Sequence, residues 1–127
     1  MSGFKARGKT LEELFSNAAR VVTNNLVGVS DGIPQQTIFV QLSAESLEEL
    51  FVKWLTEVVS LFETESLIGL GFQVTKCEPK DFKATIHGIP WDPTQYPVKM
   101  EYRAVKFHEM PIQKVNDQFE VQVVLDV

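Results

Sequence analysis

The sequence has little of what disulfide-bonded, membrane-spanning or nucleic-acid-binding proteins require. Its 127 residues include a single cysteine, Cys77, so no internal disulfide can form, and we expect a reducing, cytoplasmic location. No apolar run reaches the roughly 20 residues of a membrane span, and the first residues lack a secretory signal pattern. The net charge of −5 argues against direct, stable nucleic-acid binding through the overall field. The length favours one domain over residues 1–127.

The usual signatures of an active site are also absent. There is no Gly-x-Ser-x-Gly motif, and nothing in the spacing of Cys77, His87 and His108 requires these side chains to meet. We interpret Cys77 as a buried structural thiol and both histidines as packing or surface residues. Clustered zinc ligands are missing. Gly69-Leu70-Gly71 follows a predicted helix instead of preceding one, so it indicates a helix stop and not a phosphate loop. We therefore expect a protein that is not an enzyme.

What the sequence does contain is a repeated helix start. The pentapeptide Leu-Glu-Glu-Leu-Phe occurs at residues 11–15 and again at 47–51, after Thr10 and Ser46 respectively, so the copies are 36 residues apart. A hydroxyl side chain at this position accepts from the backbone N–H three residues on, and the glutamate at that third residue can reach back to the cap. The repeat suggests an internal β-α duplication.

Hydrophobic periodicity predicts the remaining elements. Helices are predicted at 11–26 and 47–64, a strand stub at 4–7, and strands at 37–42, 70–77, 82–86, 101–108 and 119–125. Turns are predicted at 78–81 and at Asn116-Asp117, and the segment 88–97, with three prolines, is expected to be irregular. This pattern predicts an α+β fold, with two amphipathic helices packed on one face of a mixed or mostly antiparallel sheet.

The C-terminus carries the strongest candidate site. The last strand alternates, which places Asp126 on the opposite face from Leu125, and Val127 follows at once. The Asp126 carboxylate and the terminal carboxylate of Val127 then lie close together and repel each other unless a cation sits between them. Oxygen ligands suit calcium, magnesium or manganese. The alternative is an exposed acid at the end of a strand, with no metal.

Other charged residues have simpler interpretations. The glutamates of the two helix starts are interpreted as capping and solvent-facing residues. Lys99, Arg103 and Lys106 place three cations in one predicted strand region. These cations could contact RNA or an acidic partner, although a charged, solvent-facing strand edge is the commoner cause of such a pattern.

Taken in order along the chain, several motifs resemble those of the archease family. They are Gly8–Phe15 with Asn17–Ala19, Trp54-Leu55 with Glu57, Leu61 and Thr64-Glu65, Gly88, Pro90 and Asp92-Pro93, Glu101, Ala104 and Phe107–Met110, and Val123–Val127. Their order and spacing cover nearly the whole chain. The resemblance implies an accessory protein that activates the RtcB-type RNA ligase of tRNA splicing by promoting its guanylylation and multiple turnover.

The resemblance also implies a divalent-cation site, with calcium favoured. In the family this site is built from an N-terminal Asp, the penultimate Asp and the final residue, so Asp126 and Val127 would take the last two roles. The family's N-terminal strand carries a His-Thr-Ala-Asp stretch whose Asp would fall at about Met1 of this sequence. We therefore expect the N-terminal ligand and much of the first strand to be absent.

Two further functions remain open from the sequence. One is a chaperone-like binding module for an RNA-modifying enzyme such as a tRNA methyltransferase, without a metal. The other is a small hydrolase, which the sequence supports least because it offers no nucleophile and base at a telling spacing.

Overall fold

The computed structural model describes residues 2–27, 32–92, 94, 106–107 and 111–126. In chain order the elements are β1 (Ser2–Gly8), α1 (Leu11–Val27), β2 (Gln36–Leu42), α2 (Leu47–Glu65), β3 (Leu67–Glu78), β4 (Asp81–Pro90), β5 (Lys106–Phe107), β6 (Gln113–Val115) and β7 (Gln118–Asp126). No helix within these described ranges is long and apolar enough to cross a bilayer.

The strands form two antiparallel sheets within the described residues. In the first, β7 pairs with β1 on one side and with the short strands β5 and β6 on the other. In the second, the order is β2-β4-β3. Both helices pack against these sheets, α1 on β3 and β1, and α2 on β3. The predicted α+β class is confirmed, and the antiparallel strands are divided between two sheets instead of forming one.

The two copies of the repeat bury equivalent side chains in one core. Leu14 and Leu50 are completely buried, and the ring of Phe15 packs edge-on against that of Phe51 with the centroids 5.0 Å apart. Such T-shaped pairs are favourable because the positive edge of one ring meets the negative face of the other. The repeat therefore places matching side chains of α1 and α2 in contact with each other.

Both helices begin with the predicted cap. The Thr10 hydroxyl accepts from the N–H of Glu13 at 3.1 Å, and the Ser46 hydroxyl accepts from the N–H of Glu49 at the same distance. At the second helix, the predicted return contact from the Glu49 side chain to the cap residue Ser46 is not formed. The Glu49 carboxylate pairs with Lys53 at 3.4 Å instead.

The N-terminal strand is longer than the stub predicted at 4–7. β1 has seven residues and pairs with β7 along its whole length, from Ser2 opposite Leu125 to Gly8 opposite Phe119. The chain therefore has an N-terminal strand, contrary to the expectation that much of it is absent. Only two residues join β1 to α1, and a side chain on Gly8 would collide with the backbone of Leu14. Glycine thus permits the close approach of helix and strand.

Two glycine-based predictions need correction. The second helix ends at Ser66, which adopts the left-handed conformation (φ 51°) and donates its N–H to the carbonyl of Leu61, so Gly69-Leu70-Gly71 lies inside β3. Gly88 belongs to β4 and does not begin an irregular segment. A side chain there would lie 2.5 Å from the carbonyl oxygen of Ile68, so this glycine serves close strand packing and not a turn.

The C-terminal region contains one strand that the sequence pattern did not indicate. β6 has three exposed residues, too short and too polar for periodicity to detect, and it forms a hairpin with β7 through the predicted turn. Asn116 and Asp117 both have positive φ, 52° and 63°, as a tight hairpin turn requires. Within the predicted strand 101–108, Lys106–Phe107 form β5, and residues 101–105 and 108 lie outside the described residues.

Candidate functional site at the end of the C-terminal strand

The candidate site lies at the end of β7, the strand with which β1, β5 and β6 all pair. Val121 and Val123 are buried on its inner face, as the alternation predicts. At the far end, Leu125 pairs with Ser2 of β1, and Asp126 pairs with Lys106 of β5. The backbone of this terminus is therefore held by neighbours on both sides, which a loose tail would not provide.

The outer face of β7 is fixed by charge pairs with β1. The Glu120 carboxylate accepts from Lys5 at 3.1 Å and from Arg7 at 3.0 Å. The hydrogen bond from Lys5, together with the bond from Arg7 and the two positive charges, holds the pKa of Glu120 below its ordinary value. Next along the strand, the Gln122 side-chain amide donates to the Phe4 carbonyl at 3.2 Å. These contacts fix the register between the two terminal strands.

The structure describes one of the two predicted metal ligands. Asp126 is the last residue of β7, and Val127 lies outside the described residues. Within the described part of the chain, no group of three or more histidine, cysteine, aspartate or glutamate side chains could hold a metal ion. One carboxylate alone is a weak cation site. Lys106 is the register partner of Asp126 in the β5–β7 pairing, which the sequence pattern does not indicate.

Cys77 and His87 do not form a catalytic pair. Cys77 pairs with Phe82 in the β3–β4 register, and His87 lies five residues further along β4, about 17 Å away at strand spacing. Burial, followed by the charge of Glu12, raises the pKa of the Cys77 thiol to about 12. A thiol of this kind is a poor nucleophile. The prediction of a buried structural thiol is confirmed.

His87, predicted to be a packing or surface residue, is half-buried in β4, and His108 lies outside the described residues. The His87 Nδ1 atom is 3.3 Å from the Thr37 hydroxyl of the neighbouring strand β2. Of the three predicted cations, Lys106 is in β5, and Lys99 and Arg103 lie outside the described residues.

Glu48 has a structural role that sequence reasoning missed. Its Oε2 atom accepts from the backbone N–H of Ile112 at 3.3 Å, so the start of α2 holds the segment that leads into β6. The sequence indicated only a glutamate in the first turn of a helix. The two residues are 64 positions apart, and no local pattern relates them.

These features define a class: a small α+β protein without a catalytic constellation in its described residues, with an acidic residue fixed at the end of a central strand. A family model described as the archease protein family (MTH1598/TM1083) matches residues 2–127. The chain belongs to the archease family.

Curated relatives support this assignment. The chain is 30% identical to protein archease of Methanosarcina acetivorans, with 98% of this chain and 88% of the relative covered. It is 31% identical to protein archease of Pyrococcus furiosus, covering 98% and 91%. It is 33% identical to that of Pyrobaculum calidifontis, covering 97% and 86%.

Solved structures show the same fold. The solution structure of protein 1598 of Methanobacterium thermoautotrophicum matches with a TM-score of 0.77 at 26% identity, over 98% of this chain and 91% of that one. The crystal structure of a Thermotoga maritima protein, described as an archease and possible chaperone, matches with a TM-score of 0.60 at 15% identity, over 100% and 91%. At that identity the second comparison supports the fold alone.

Proposed function

We propose that this chain is an accessory protein that activates an RtcB-type RNA ligase in tRNA splicing and does not itself catalyse a reaction. Family membership over residues 2–127 is the observation that supports the proposal most. The buried Cys77 and its separation from His87 are consistent with a role that needs no nucleophile of its own. The proposed location is the cytoplasm, where a free thiol is stable.

The ligase is the proposed partner, and charge is the proposed means of encounter. The chain carries a net charge of −5, and an RNA ligase must present a basic surface to its substrate. Opposite charges speed the encounter of two proteins and orient them. Each encounter would promote guanylylation of the ligase and so allow another turnover.

The proposed metal site consists of the Asp126 carboxylate and the terminal carboxylate of Val127, with calcium favoured over magnesium or manganese. The anchored end of β7 supports this proposal, because Leu125 pairs with both β1 and β5, and Asp126, the next residue, pairs with β5. A bound divalent cation would offset the repulsion between two adjacent carboxylates.

Calcium titration by calorimetry tests the metal site directly. We expect binding by the wild-type chain and its loss in Asp126→Asn, which removes the charge and keeps the shape. Asp117→Asn is the matched control, because it makes the same chemical change in the exposed hairpin turn at the other end of β7. Equal calcium binding by both variants would exclude Asp126 as a ligand.

A ligation assay tests the partner. Limiting RtcB-type ligase, GTP and divalent cation would be incubated with excess RNA ends, with and without this chain. We expect several product molecules per ligase when the chain is present, and about one when it is absent. A folded chain that leaves ligase turnover unchanged would contradict the proposed function.

A second function, which the sequence leaves open, is that of a chaperone-like binding module; the Thermotoga maritima neighbour, which shares the fold, is described as a possible chaperone. In this alternative the chain is a binding module that protects an RNA-modifying enzyme, such as a tRNA methyltransferase, without a metal. It predicts that Asp126→Asn has full activity in preventing thermal aggregation of that enzyme. The ligase proposal predicts loss of ligase turnover in the same variant.

A further inference from the structure

The edge strands of the two sheets differ in how well they are protected against pairing with a strand of another chain. An edge strand leaves backbone N–H and C=O groups free on one side, and proteins usually protect such edges with charges, prolines, bulges or very short strands. Within the described residues, the edges are formed by β1, β2, β3 and the pair β5 and β6. One of these described edges lacks such protection.

Three of these edges carry recognised protection. β1 has Lys5 and Arg7, both of which face Glu120 of the next strand. β3 has two register irregularities and the charged residue Lys76. β5 has two residues and β6 has three, too few for a stable ladder with another chain.

β2 has none of these features. Its seven residues, Gln36–Leu42, include no charged residue and no proline, and it pairs with β4 without a register shift. At its centre, Phe39 points away from the core and is 81% exposed. Thr37 and Gln41 are exposed on the same face of the strand. An uncharged, regular edge with a central exposed aromatic ring favours strand addition.

The central five residues of β2, from Thr37 to Gln41, match an antiparallel copy of themselves. If the two-fold axis passes through Phe39, that residue pairs with its own copy, Thr37 pairs with Gln41, and Ile38 pairs with Val40. Each of these pairs joins like with like: aromatic with aromatic, polar with polar, and β-branched with β-branched. No charge opposes another across this register, although each chain has a net charge of −5.

We propose that the free edge of β2 is the contact through which a second copy of this chain binds, extending the β2-β4-β3 sheet into six strands. The contact is isologous, because both copies use the same strand. One seven-residue strand pair buries well under the roughly 1,000 Å² of a stable interface, so the dimer is weak. Self-repulsion of two acidic chains weakens it further at low salt, and added salt strengthens it.

Cysteine crosslinking tests the register. In a Cys77→Ala background, Phe39→Cys places two thiols opposite each other, because antiparallel partners have Cα atoms about 4.5–5.5 Å apart, within disulfide range. We expect a covalent dimer under mild oxidation. Thr37→Cys is the matched control, since position 37 lies opposite position 41 and is about 13 Å from its own copy. Mixing Thr37→Cys with Gln41→Cys chains should restore the crosslink.

Sedimentation tests the dimer without a covalent bond. From about 5 µM to about 1 mM, we expect the wild-type chain to move from monomer to dimer, with a dissociation constant on the order of 100 µM. Phe39→Lys places two like charges opposite each other and should weaken the dimer about tenfold or more. Because Phe39 is exposed, this variant should unfold at the wild-type urea concentration.

Three results would overturn the proposal. The first is a monomer at all concentrations with no crosslink through Phe39→Cys. The second is equal crosslinking by Phe39→Cys and Thr37→Cys, which would indicate random collision. The third is a monomeric chain whose Phe39→Lys variant no longer stimulates the ligase, which would assign the β2 edge to a strand of the partner enzyme instead.

Discussion

Trp54 is the residue that ties the two helices together most directly. Its indole Nε1–H donates to the Phe15 carbonyl at 2.8 Å, and the side chain is completely buried. Trp54→Phe would remove the donor, leave the Phe15 carbonyl without its side-chain partner and create a small cavity. We expect a loss of roughly 2–4 kcal/mol in the free energy of unfolding, measured by urea denaturation.

Trp91→Phe is the matched control for this prediction. Trp91 is half-buried and packs against Phe62 with ring centroids 4.8 Å apart, so phenylalanine keeps an aromatic ring in the same place. It should cost less than Trp54→Phe. Equal losses for both variants would contradict the larger role assigned to the completely buried Trp54.

Cys77 should be unreactive in the folded protein. Burial raises the pKa of its thiol to about 12, so almost no thiolate exists at pH 8. We expect iodoacetamide to label the native chain far more slowly than the urea-unfolded chain, whose thiol has an ordinary pKa of about 8.5. Rapid labelling of the native protein at pH 8 would contradict the buried position.

At the residue scale, the sequence predicts which side chains are buried better than it predicts which residues contact each other. The inert character of Cys77 was predicted because a lone cysteine in an apolar strand is usually structural. The hydrogen bond from the Ile112 N–H to Glu48 could not be predicted, since both residues have ordinary local settings and meet only through the fold.

At the scale of elements, the two helix caps should contribute equally. Thr10 and Ser46 accept from equivalent N–H groups at the same 3.1 Å distance. Thr10→Ala and Ser46→Ala should each lower the free energy of unfolding by about 1 kcal/mol. Thr56→Ala, an exposed position within α2, controls for helix propensity and should be neutral or slightly stabilising.

The bounds of the helices were predicted more accurately than those of the strands, because the residues that begin and end a helix are close together in sequence. Both helix starts match the structure, and the ends differ by one residue at each helix. The strands gain residues from pairing: β4 continues to Pro90, and Gly88 fits where the carbonyl of Ile68 leaves no room for a side chain. Periodicity does not reveal a requirement that a neighbouring strand imposes.

At the scale of the whole molecule, ion pairs between neighbouring strands should make stability depend on acid pH. Hydrogen bonds from Lys5 lower the pKa of Glu120, and a hydrogen bond from Lys76 lowers that of Asp81. A lowered folded-state pKa adds stability above the unfolded-state pKa, near 4, and this stability is lost as pH falls through the folded-state value.

We therefore expect Glu120→Gln to lower the urea midpoint slightly at pH 7, and we expect this effect to shrink as the pH falls below the unfolded-state pKa and the wild-type carboxylate becomes protonated. The effect is small because the pair is exposed to solvent. Glu63→Gln, on the exposed surface of α2, is the control and should change neither midpoint. An effect of Glu120→Gln that persists at low pH would rule out the ion pairs as its cause.

The overall architecture could be predicted only in part. The α+β class follows from two long amphipathic helices among short strands, but the division into two sheets depends on pairings between the chain's two ends, such as Ser2 with Leu125. The candidate site was found from the terminal position of Asp126, whereas Lys106 opposite it is known only from the β5–β7 register.

The most direct test of the central claim is ligase turnover with Asp126→Ala. The assay would count RNA joined per RtcB-type ligase in the presence of wild-type chain, Asp126→Ala or Asp117→Ala, each shown to be folded by circular dichroism. Our account predicts multiple turnover with the wild type and with Asp117→Ala, and no stimulation by Asp126→Ala. Full stimulation by a folded Asp126→Ala chain would contradict it.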